Sequence, residues 1–440
     1  MPTRPLPGVE HSRPARGLML AGVAVVALGA HADVVAASWS SPALSLHGFG
    51  TLGVVRSDQD DADVVSNTYL QPNGAGHTRR WDFGVDSKLG GQLNADFGDG
   101  WSAVVQVVTK HRYDNSWTPE IEWANVKYQL TPGLSLRGGR TVSPIFMLSD
   151  TANVGYANPW VRGPQELYGM VPITNLDGID LAWNTDIGQA TNVFQASFGS
   201  NTFDAVDGLR IAGKNSWILS NTLEYSFVAV RVGYLRVDLT FDGNDLDPLT
   251  DGLAGLGDSL ATAGFPVAGQ RAMALARRYD IDDTPFEIFS AGLRLTPGNW
   301  LLLAEWARGS DAGLIPKTHA GYVTVGYRLR QLQPYVTFAK LDSQTHAPQA
   351  IPTGGLPAPQ ATAADAANSG LAAALQTAAP SQQSLALGLR WDALNAVAVK
   401  FEYQHVDLES DSTGRFGNVQ PAFQPGGDAD LFSVTVDFVF

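Results

Sequence analysis

Few residues of this 440-residue chain have the type and spacing that catalysis requires. Ser259 lies in the stretch Gly-Asp-Ser-Leu at residues 257–260, which is typical of a hydrolase nucleophile. A serine nucleophile needs an adjacent base to activate it. The Asp-x-x-His pairing that would supply this base occurs nowhere in the sequence. We therefore interpret the match as a coincidence and predict no catalytic residue.

Metal and cofactor sites have equally little support. The chain has no cysteine, which excludes disulfides and thiolate metal sites. Its eight histidines show no His-Glu-x-x-His spacing, and Glu402 and His405 would point to opposite faces of a strand. Residues 242–252 are dense in aspartate but lack the closing glutamate of a calcium loop, so a solvated acidic loop is the better interpretation and weak divalent binding the alternative. We expect no cofactor and no bound metal.

Charge and the N-terminus exclude further classes of protein. The formal net charge is −14, whereas a nucleic-acid partner requires a basic face. Three arginines precede an uncharged apolar run at residues 18–30, and a small-x-small triplet ends at residue 32. This pattern predicts a signal peptide over residues 1–32, because the run is shorter than the about 20 residues of a membrane-spanning helix. An uncut N-terminal anchor is the alternative.

The remaining residues, 33–440, alternate apolar and polar side chains with a period of two, which predicts strands. No segment shows a convincing helical period. The clearest strand is the last, in which Phe432, Val434, Val436, Phe438 and Phe440 alternate with mostly polar residues. We predict about 16 strands, at residues 44–56, 83–97, 101–113, 119–130, 134–142, 176–186, 190–200, 215–227, 229–240, 285–296, 300–309, 318–330, 333–342, 382–392, 396–408 and 429–440.

The connections between the predicted strands are of two kinds. Tight turns follow the even-numbered strands, whereas most odd-numbered strands are followed by long loops, such as residues 143–175 and 241–284. This sorting is typical of an outer-membrane barrel, with short periplasmic turns and long extracellular loops. We therefore predict an all-β fold, a transmembrane antiparallel β-barrel that is a single domain over residues 33–440. Residues 343–381, rich in Ala, Pro and Gln, are predicted to be a loop insertion, with a short surface helix or a mobile segment at 363–379.

The two faces of the predicted strands differ. Aromatic residues gather on the apolar face beside the tight turns, where amphipathic rings form a girdle at a membrane interface. The other face is polar in nearly every strand, and its many charges favour a water-filled interior over a dry one. The last strand must then close the barrel against the first. The predicted girdle includes Phe97, Trp101, Tyr128, Trp183, Trp300 and Trp391.

Two stretches resemble a known family. Residues 136–150, LRGGRTVSPIFMLSD, and residues 154–169, VGYANPWVRGPQELYG, resemble the segment that follows the fifth strand of Gram-negative outer-membrane porins. Gly163 stands where proline is expected in that family. As a pattern of strands, turns and loops ending in Phe440, the resemblance covers the whole of residues 33–440. It implies a non-enzymatic channel in the bacterial outer membrane for passive diffusion of small hydrophilic solutes and ions.

The resemblance also implies partners and a constriction. The partners are outer-membrane lipid and lipopolysaccharide, the barrel assembly machinery, for which Phe440 is the C-terminal signal, and further copies of the chain in a homotrimer. In that family the third loop folds into the pore, and acids on the loop face bases on the wall. The constriction candidates here are Lys127, Arg137, Arg140, Asp150, Arg162 and Glu166.

Three alternative functions stay open. A substrate-selective channel is supported by the long loops at residues 241–284 and 343–381. An outer-membrane barrel enzyme would need a serine or aspartate beside a histidine on the rim. A surface receptor would use the long loops for binding.

Overall fold

The computed structural model describes residues 42–172, 174–243, 247–344 and 348–440. The predicted signal peptide, residues 1–32, lies outside the described residues. Within the described ranges, no helix is long and apolar enough to cross a membrane.

Sixteen long antiparallel strands form one closed sheet. Each strand pairs with its neighbours in sequence, and the last strand pairs with the first. The predicted barrel is thereby confirmed, with strand ends that shift by a few residues. In chain order the strands are β1 (Ala43–Ser57), β2 (Lys88–Gly98), β3 (Trp101–Lys110), β4 (Glu120–Thr131), β5 (Leu134–Val142), β6 (Asn175–Ile187), β7 (Ala190–Asp204), β8 (Arg210–Tyr225), β9 (Val228–Asp242), β10 (Thr284–Leu295), β11 (Trp300–Gly309), β12 (Lys317–Tyr327), β13 (Leu332–Gln344), β14 (Gln382–Leu394), β15 (Val397–Leu408) and β16 (Asp428–Val439).

The first and the last long loops contain short strands, some of which pair with each other. Trp81–Asp82 pairs with the end of β1, so β2 begins at Lys88 and not at the predicted residue 83. A separate three-stranded sheet consists of Asp63–Val64, Ala75–Gly76 and Phe416–Gly417. The loops after β1 and β15 therefore pack together at the loop end of the barrel.

The other long loops contain helices. A single turn, α1 (Gln165–Tyr168), lies between β5 and β6. Two helices, α2 (Asp247–Thr262) and α3 (Pro266–Tyr279), occupy the connection from β9 to β10. The fourth, α4 (Ala358–Thr377), occupies the connection from β13 to β14, where a short helix was one of the two predicted alternatives. Buried residues of α2, α3 and α4 belong to one hydrophobic cluster that continues into β9–β13, so these helices cover one side of the loop end.

The prediction that no segment has a helical period is wrong for α2. Leu249, Leu253, Leu256 and Leu260 recur at the three- and four-residue spacing of a helix. Leu253 and Leu260 are buried. The signal was present in the sequence, but the glycines among these leucines weaken the helical propensity of the segment.

The outer face of the barrel is apolar and exposed. Along β16, Phe432 is 43% exposed, whereas the alternate residues Thr435 and Asp437 are completely buried. Beside the tight turns, Trp183 and Trp300 are more than half exposed, at 52% and 54%. The other predicted girdle residues lie on this face too, and the rings of Trp101 and Tyr128 are 4.5 Å apart across β3 and β4. Apolar residues outside and polar residues inside are the arrangement of a barrel in a membrane.

Closure depends on the last residues of the chain. The Phe440 backbone N–H donates to the Gly48 carbonyl at 2.9 Å, and the Gly48 N–H donates to the Phe440 carbonyl at 2.8 Å. Gly50 lies opposite Phe438. A methyl group on Gly50 would lie 2.4 Å from Cζ of Phe438, and one on Gly48 would lie 2.1 Å from Cζ of Phe440. The two aromatic rings therefore cover the glycine backbone of β1 across the seam.

We expect Gly50→Ala to destabilise the folded barrel by about 1–3 kcal/mol, because the Phe438 ring must leave its position over the seam. Gly91→Ala is the matched control, since a methyl group on Gly91 in β2 meets nothing within 4 Å. Urea unfolding in detergent, followed by tryptophan fluorescence, measures both. Equal unfolding midpoints for the two variants would contradict a role for ring-over-glycine packing in closure.

Candidate functional site

Residues 143–172, which follow β5, run across the inner face of the barrel and are called the interior segment below. The Ile145 carbonyl accepts a hydrogen bond of 2.8 Å from Ser290 in β10. The buried indole of Trp160 donates to Thr324 in β12 at 2.9 Å and to Thr337 in β13 at 3.1 Å. These wall residues alternate with the exposed apolar ones, so they point inward. The interior segment therefore occupies the side of the barrel that is formed by the later strands.

A buried ion pair holds the middle of the interior segment. The Lys400 ammonium group in β15 is 2.9 Å from the Asp437 carboxylate in β16, and both side chains are completely buried. The same ammonium group donates to the carbonyls of Gly155 and Trp160, each at 2.7 Å. Thr51 in β1 donates to Asp437 at 2.5 Å. Every donor of the cation is thus used, which is the condition for keeping a charge away from water.

Arg390 in β14 is a second anchor. Its guanidinium donates to the carbonyls of Tyr156 at 2.6 Å and Asn158 at 3.0 Å, and to the carboxylate of Asp392 at 2.7 Å. It also lies 4.9 Å from the centre of the Tyr156 ring. One side chain therefore determines the backbone position of two residues of the interior segment.

Glu305 in β11 binds both ends of the interior segment. Its carboxylate accepts hydrogen bonds from the Met147 backbone N–H and the Tyr322 hydroxyl, each at 2.8 Å, and from the Tyr168 hydroxyl. Burial raises the pKa of Tyr168 well above its ordinary value, and the negative charge of Glu305 adds to that rise. The phenol therefore stays protonated and remains a donor.

Two of the predicted constriction residues hold the interior segment to the wall. Arg162 donates to both carboxylate oxygens of Asp86, at 2.9 and 2.7 Å, and to Ser433 in β16 at 2.9 Å. Glu166 is completely buried and accepts a hydrogen bond of 2.8 Å from Gln382 in β14. Both side chains are thus engaged in attachment of the segment.

The three predicted basic residues of the wall differ in position. Lys127 and Arg137 lie opposite each other on β4 and β5, and Arg137 binds the buried Asp180 carboxylate at 2.6 Å. Arg140 forms an ion pair of 2.6 Å with Asp177, nearer the loop end. Asp177 has the same parity in β6 as the outward-facing Ile179. The Arg140–Asp177 pair therefore lies at the rim, on the opposite face of the wall from Lys127.

The predicted acid Asp150 is the loop candidate that faces open space. Its side chain is 54% exposed and lies 3.8 Å from the guanidinium of Arg231 in β9. Asp150, Lys127 and Arg137 line the same cavity, which has a volume of about 350 Å³. The structure therefore brings three of the six candidates together and separates them from Arg140.

Open space continues along the early strands. The cavity of about 350 Å³ includes Gln92 and Asn94 of β2. A second cavity, of about 220 Å³, lies between the interior segment and the loop-end half of the same wall, at Lys88 and Lys110. A third, of about 200 Å³, shares Lys110 with the second and reaches the rim. Cavities large enough for solvent thus lie along β2–β5, from the rim toward the tight turns.

Sequence reasoning did not identify the anchors as functional. Parity places Lys400 and Arg390 on the polar face of their strands, as it does many other charged residues. No local pattern distinguishes a charge that binds the interior segment from one that faces water, because the partners are backbone carbonyls at residues such as Gly155.

No protein-family model matches the chain, and no curated protein matches its sequence significantly. Solved structures do match. Outer-membrane expressed OmpT of Vibrio cholerae is 11% identical, with a TM-score of 0.50 over 91% of this chain and 99% of that one. The trimer form of in-vitro folded Vibrio cholerae OmpT is 13% identical, with a TM-score of 0.50 over 90% of this chain and 100% of that one. Salmonella typhi OmpF in complex with daunomycin is 12% identical, with a TM-score of 0.50 over 90% of this chain and 97% of that one.

The fold is that of an outer-membrane porin barrel. In this porin fold, the polar inner face and the interior segment together form the candidate site. Among the described residues, no group of three or more His, Asp or Glu side chains is placed to bind a metal ion.

We expect Lys400→Met to loosen the interior segment and to destabilise the barrel by about 3–5 kcal/mol, because Asp437 is left buried without its cation. Lys340→Met is the matched control, since Lys340 pairs at 3.0 Å with Glu409 and both side chains are about half exposed; its loss costs about 1 kcal/mol or less. Urea unfolding and chymotrypsin cleavage at the aromatic residues of 143–172 measure the two effects. Unchanged cleavage in Lys400→Met would contradict the anchoring role.

Proposed function

We propose that the protein is an outer-membrane porin through which small hydrophilic solutes and ions diffuse passively. The observation that carries this proposal is the open space along β2–β5, while the interior segment fills the opposite side. The lining of that space includes the charged residues Lys88, Lys127 and Asp150 and the amide of Gln92. Such a lining favours water and hydrated solutes over an apolar ligand.

The exposed outer face supports a location in the bacterial outer membrane. A closed sheet leaves no unpaired strand edge, which is the condition for crossing lipid with strands. Lipid and lipopolysaccharide are the surroundings that fit the apolar belt and its aromatic margin. Phe440, 71% exposed at the end of the closing strand, is available as the signal for the barrel assembly machinery.

Export and assembly complete the proposal. Residues 1–32 act as a signal peptide, so that residues 33–440 form the mature barrel. A homotrimer is the proposed assembly, in keeping with the Vibrio cholerae OmpT structure that is described as a trimer form. Crosslinking of the detergent-extracted protein distinguishes a trimer from a monomer.

The proposed constriction keeps the six predicted residues but divides their tasks. Lys127 and Arg137 on the wall and Asp150 on the interior segment line the cavity and set up a field across it. Arg162 and Glu166 position the segment that carries Asp150. Arg140 acts at the rim.

A substrate-selective channel is the second candidate. Helices α2, α3 and α4 cover one side of the loop end, and this narrows the entrance relative to an uncovered barrel. An enzyme has less support. Ser259 lies inside α2, whereas the exposed nucleophile of a hydrolase sits on a sharp turn between a strand and a helix. A surface receptor would use the same loops and is compatible with a channel.

We expect the protein, extracted from the outer membrane in detergent, to produce stepwise, long-lived current increments in a planar lipid bilayer. Folding is verified by the difference in electrophoretic mobility between heated and unheated samples, and insertion by protease protection. A folded and inserted protein that produces no current increments would contradict the proposed function and favour the alternatives at the rim, an enzyme or a surface receptor.

Opposite charges across the cavity predict opposite effects on ion preference. We expect Asp150→Asn to shift the reversal potential in a potassium chloride gradient toward chloride, and Lys127→Gln to shift it toward potassium, because each removes one sign of charge from the same cavity. Arg140→Gln is the control at the rim. Equal reversal potentials for all three variants would contradict a constriction at this cavity.

A further inference from the structure

Two lysines face each other on the inner wall. Lys88 at the start of β2 and Lys110 at the end of β3 are direct partners in the strand register. Like charges directly opposite each other destabilise a sheet. Both side chains line the cavity of about 220 Å³ between the wall and the interior segment. The arrangement therefore concentrates positive charge at a place that solutes can reach.

Neither lysine has an ion-pair partner within the part of the chain that the structure describes. The single hydrogen bond of Lys88 is a long one, 3.5 Å, to the carbonyl of Ala152. The Lys110 ammonium group has neither a hydrogen bond nor an ion pair among the described residues. Both ammonium groups thus keep N–H donors for water or for a bound anion.

Three carboxylates lie close enough to Lys88 to attract its charge, and each of them already binds another group. These are Asp86, Glu122 and Asp437. Asp86 binds Arg162 at 2.7 Å, and Asp437 binds Lys400 at 2.9 Å. Glu122 accepts a hydrogen bond from Thr174. Each carboxylate has another hydrogen-bond partner, and none of the three forms an ion pair with either lysine.

A further donor lies beside the two lysines. Arg162 also lines this cavity, and its Nη1 is buried without a hydrogen-bond partner among the described residues, although its other nitrogens bind Asp86 and Ser433. Within the described ranges, a buried unpaired guanidinium N–H beside two lysines without ion pairs favours the binding of an oxyanion.

The basic character continues along the wall. Lys127 and Arg137 form a second like-charged pair in register, on β4 and β5, in the next cavity toward the tight turns. Here Arg137 is neutralised by Asp180, whereas Lys127 has no ion pair among the residues described. Three lysines without ion pairs among the described residues thus line two cavities along one wall, in a chain whose net charge is −14.

We propose that Lys88 and Lys110 form a binding site for the oxyanion group of small solutes, a carboxylate or a phosphate, and that this site makes the channel prefer anions. The inference rests on the proposed channel function and specifies its substrate class. The pair attracts the anion at the entrance to the open path, and Lys127 receives it farther along.

The first experiment is the reversal potential in a potassium chloride gradient. We expect wild type to prefer chloride, and Lys88→Gln/Lys110→Gln to lower the permeability ratio of chloride to potassium at least about threefold. Lys88→Arg/Lys110→Arg is expected to retain the preference. Lys214→Gln is the matched control, because Lys214 is an exposed lysine at the loop end that is paired with Asp283 at 2.8 Å. An equal ratio in wild type and the double glutamine variant overturns the proposal.

A second measurement does not need conduction. At constant ionic strength, inorganic phosphate or potassium acetate is expected to raise the thermal unfolding temperature of wild type and not that of Lys88→Gln/Lys110→Gln, and the more effective anion identifies the preferred oxyanion. The single glutamine variants serve if the double variant does not fold. Equal stabilisation of wild type and variant by both anions overturns the site. Absence of current with retained anion stabilisation would instead contradict the channel and leave the site supported.

Discussion

The pairing of β16 with β1 is the constraint on which the rest of the structure depends. A strand edge exposed to lipid would leave backbone donors and acceptors without water, so the sheet must close completely. Here closure extends to the last residue, since Phe440 exchanges both backbone hydrogen bonds with Gly48. Closure also determines which side chains point inward, because a slip of one residue would exchange the two faces of a strand. The C-terminal strand is therefore ordered to its end, because unpaired backbone groups at the seam would cost free energy in lipid.

Inside the closed sheet, the charged side chains of two regions differ in whether they have binding partners. On the side of β9–β16, charges such as Lys400 and Glu305 are buried, and each is held by several partners that include backbone groups of the interior segment. Buried charges are stable only in such complete networks. On the side of β2–β5, Lys88, Lys110 and Lys127 lack ion pairs among the described residues and border open space. The same residue types thus act as attachment on one side and as a hydrated lining on the other.

The sequence predicted the strands, the tight turns and the outward-facing aromatics well, because these follow from a period of two and from local turn chemistry. It predicted the site less completely. Lys127, Arg137 and Asp150 do share a cavity, but Glu166 is completely buried against Gln382. Parity states on which side of a strand a residue lies, yet it does not state what lies opposite. Helix α2, between β9 and β10, was missed because its glycines weaken the signal of a real leucine period.

The sequence by itself determined the class of fold, an all-β barrel with its apolar face outward. The reason is that consecutive residues of each strand alternate between apolar and polar, and each strand shows this pattern independently of the others. Only the tertiary structure decided the path of the interior segment, and with it which inward charges are buried and which are free. The reason is that this path depends on contacts such as those of Lys400 with Gly155 and Asp437, whose partners are far apart in sequence. No local pattern encodes a contact of that kind.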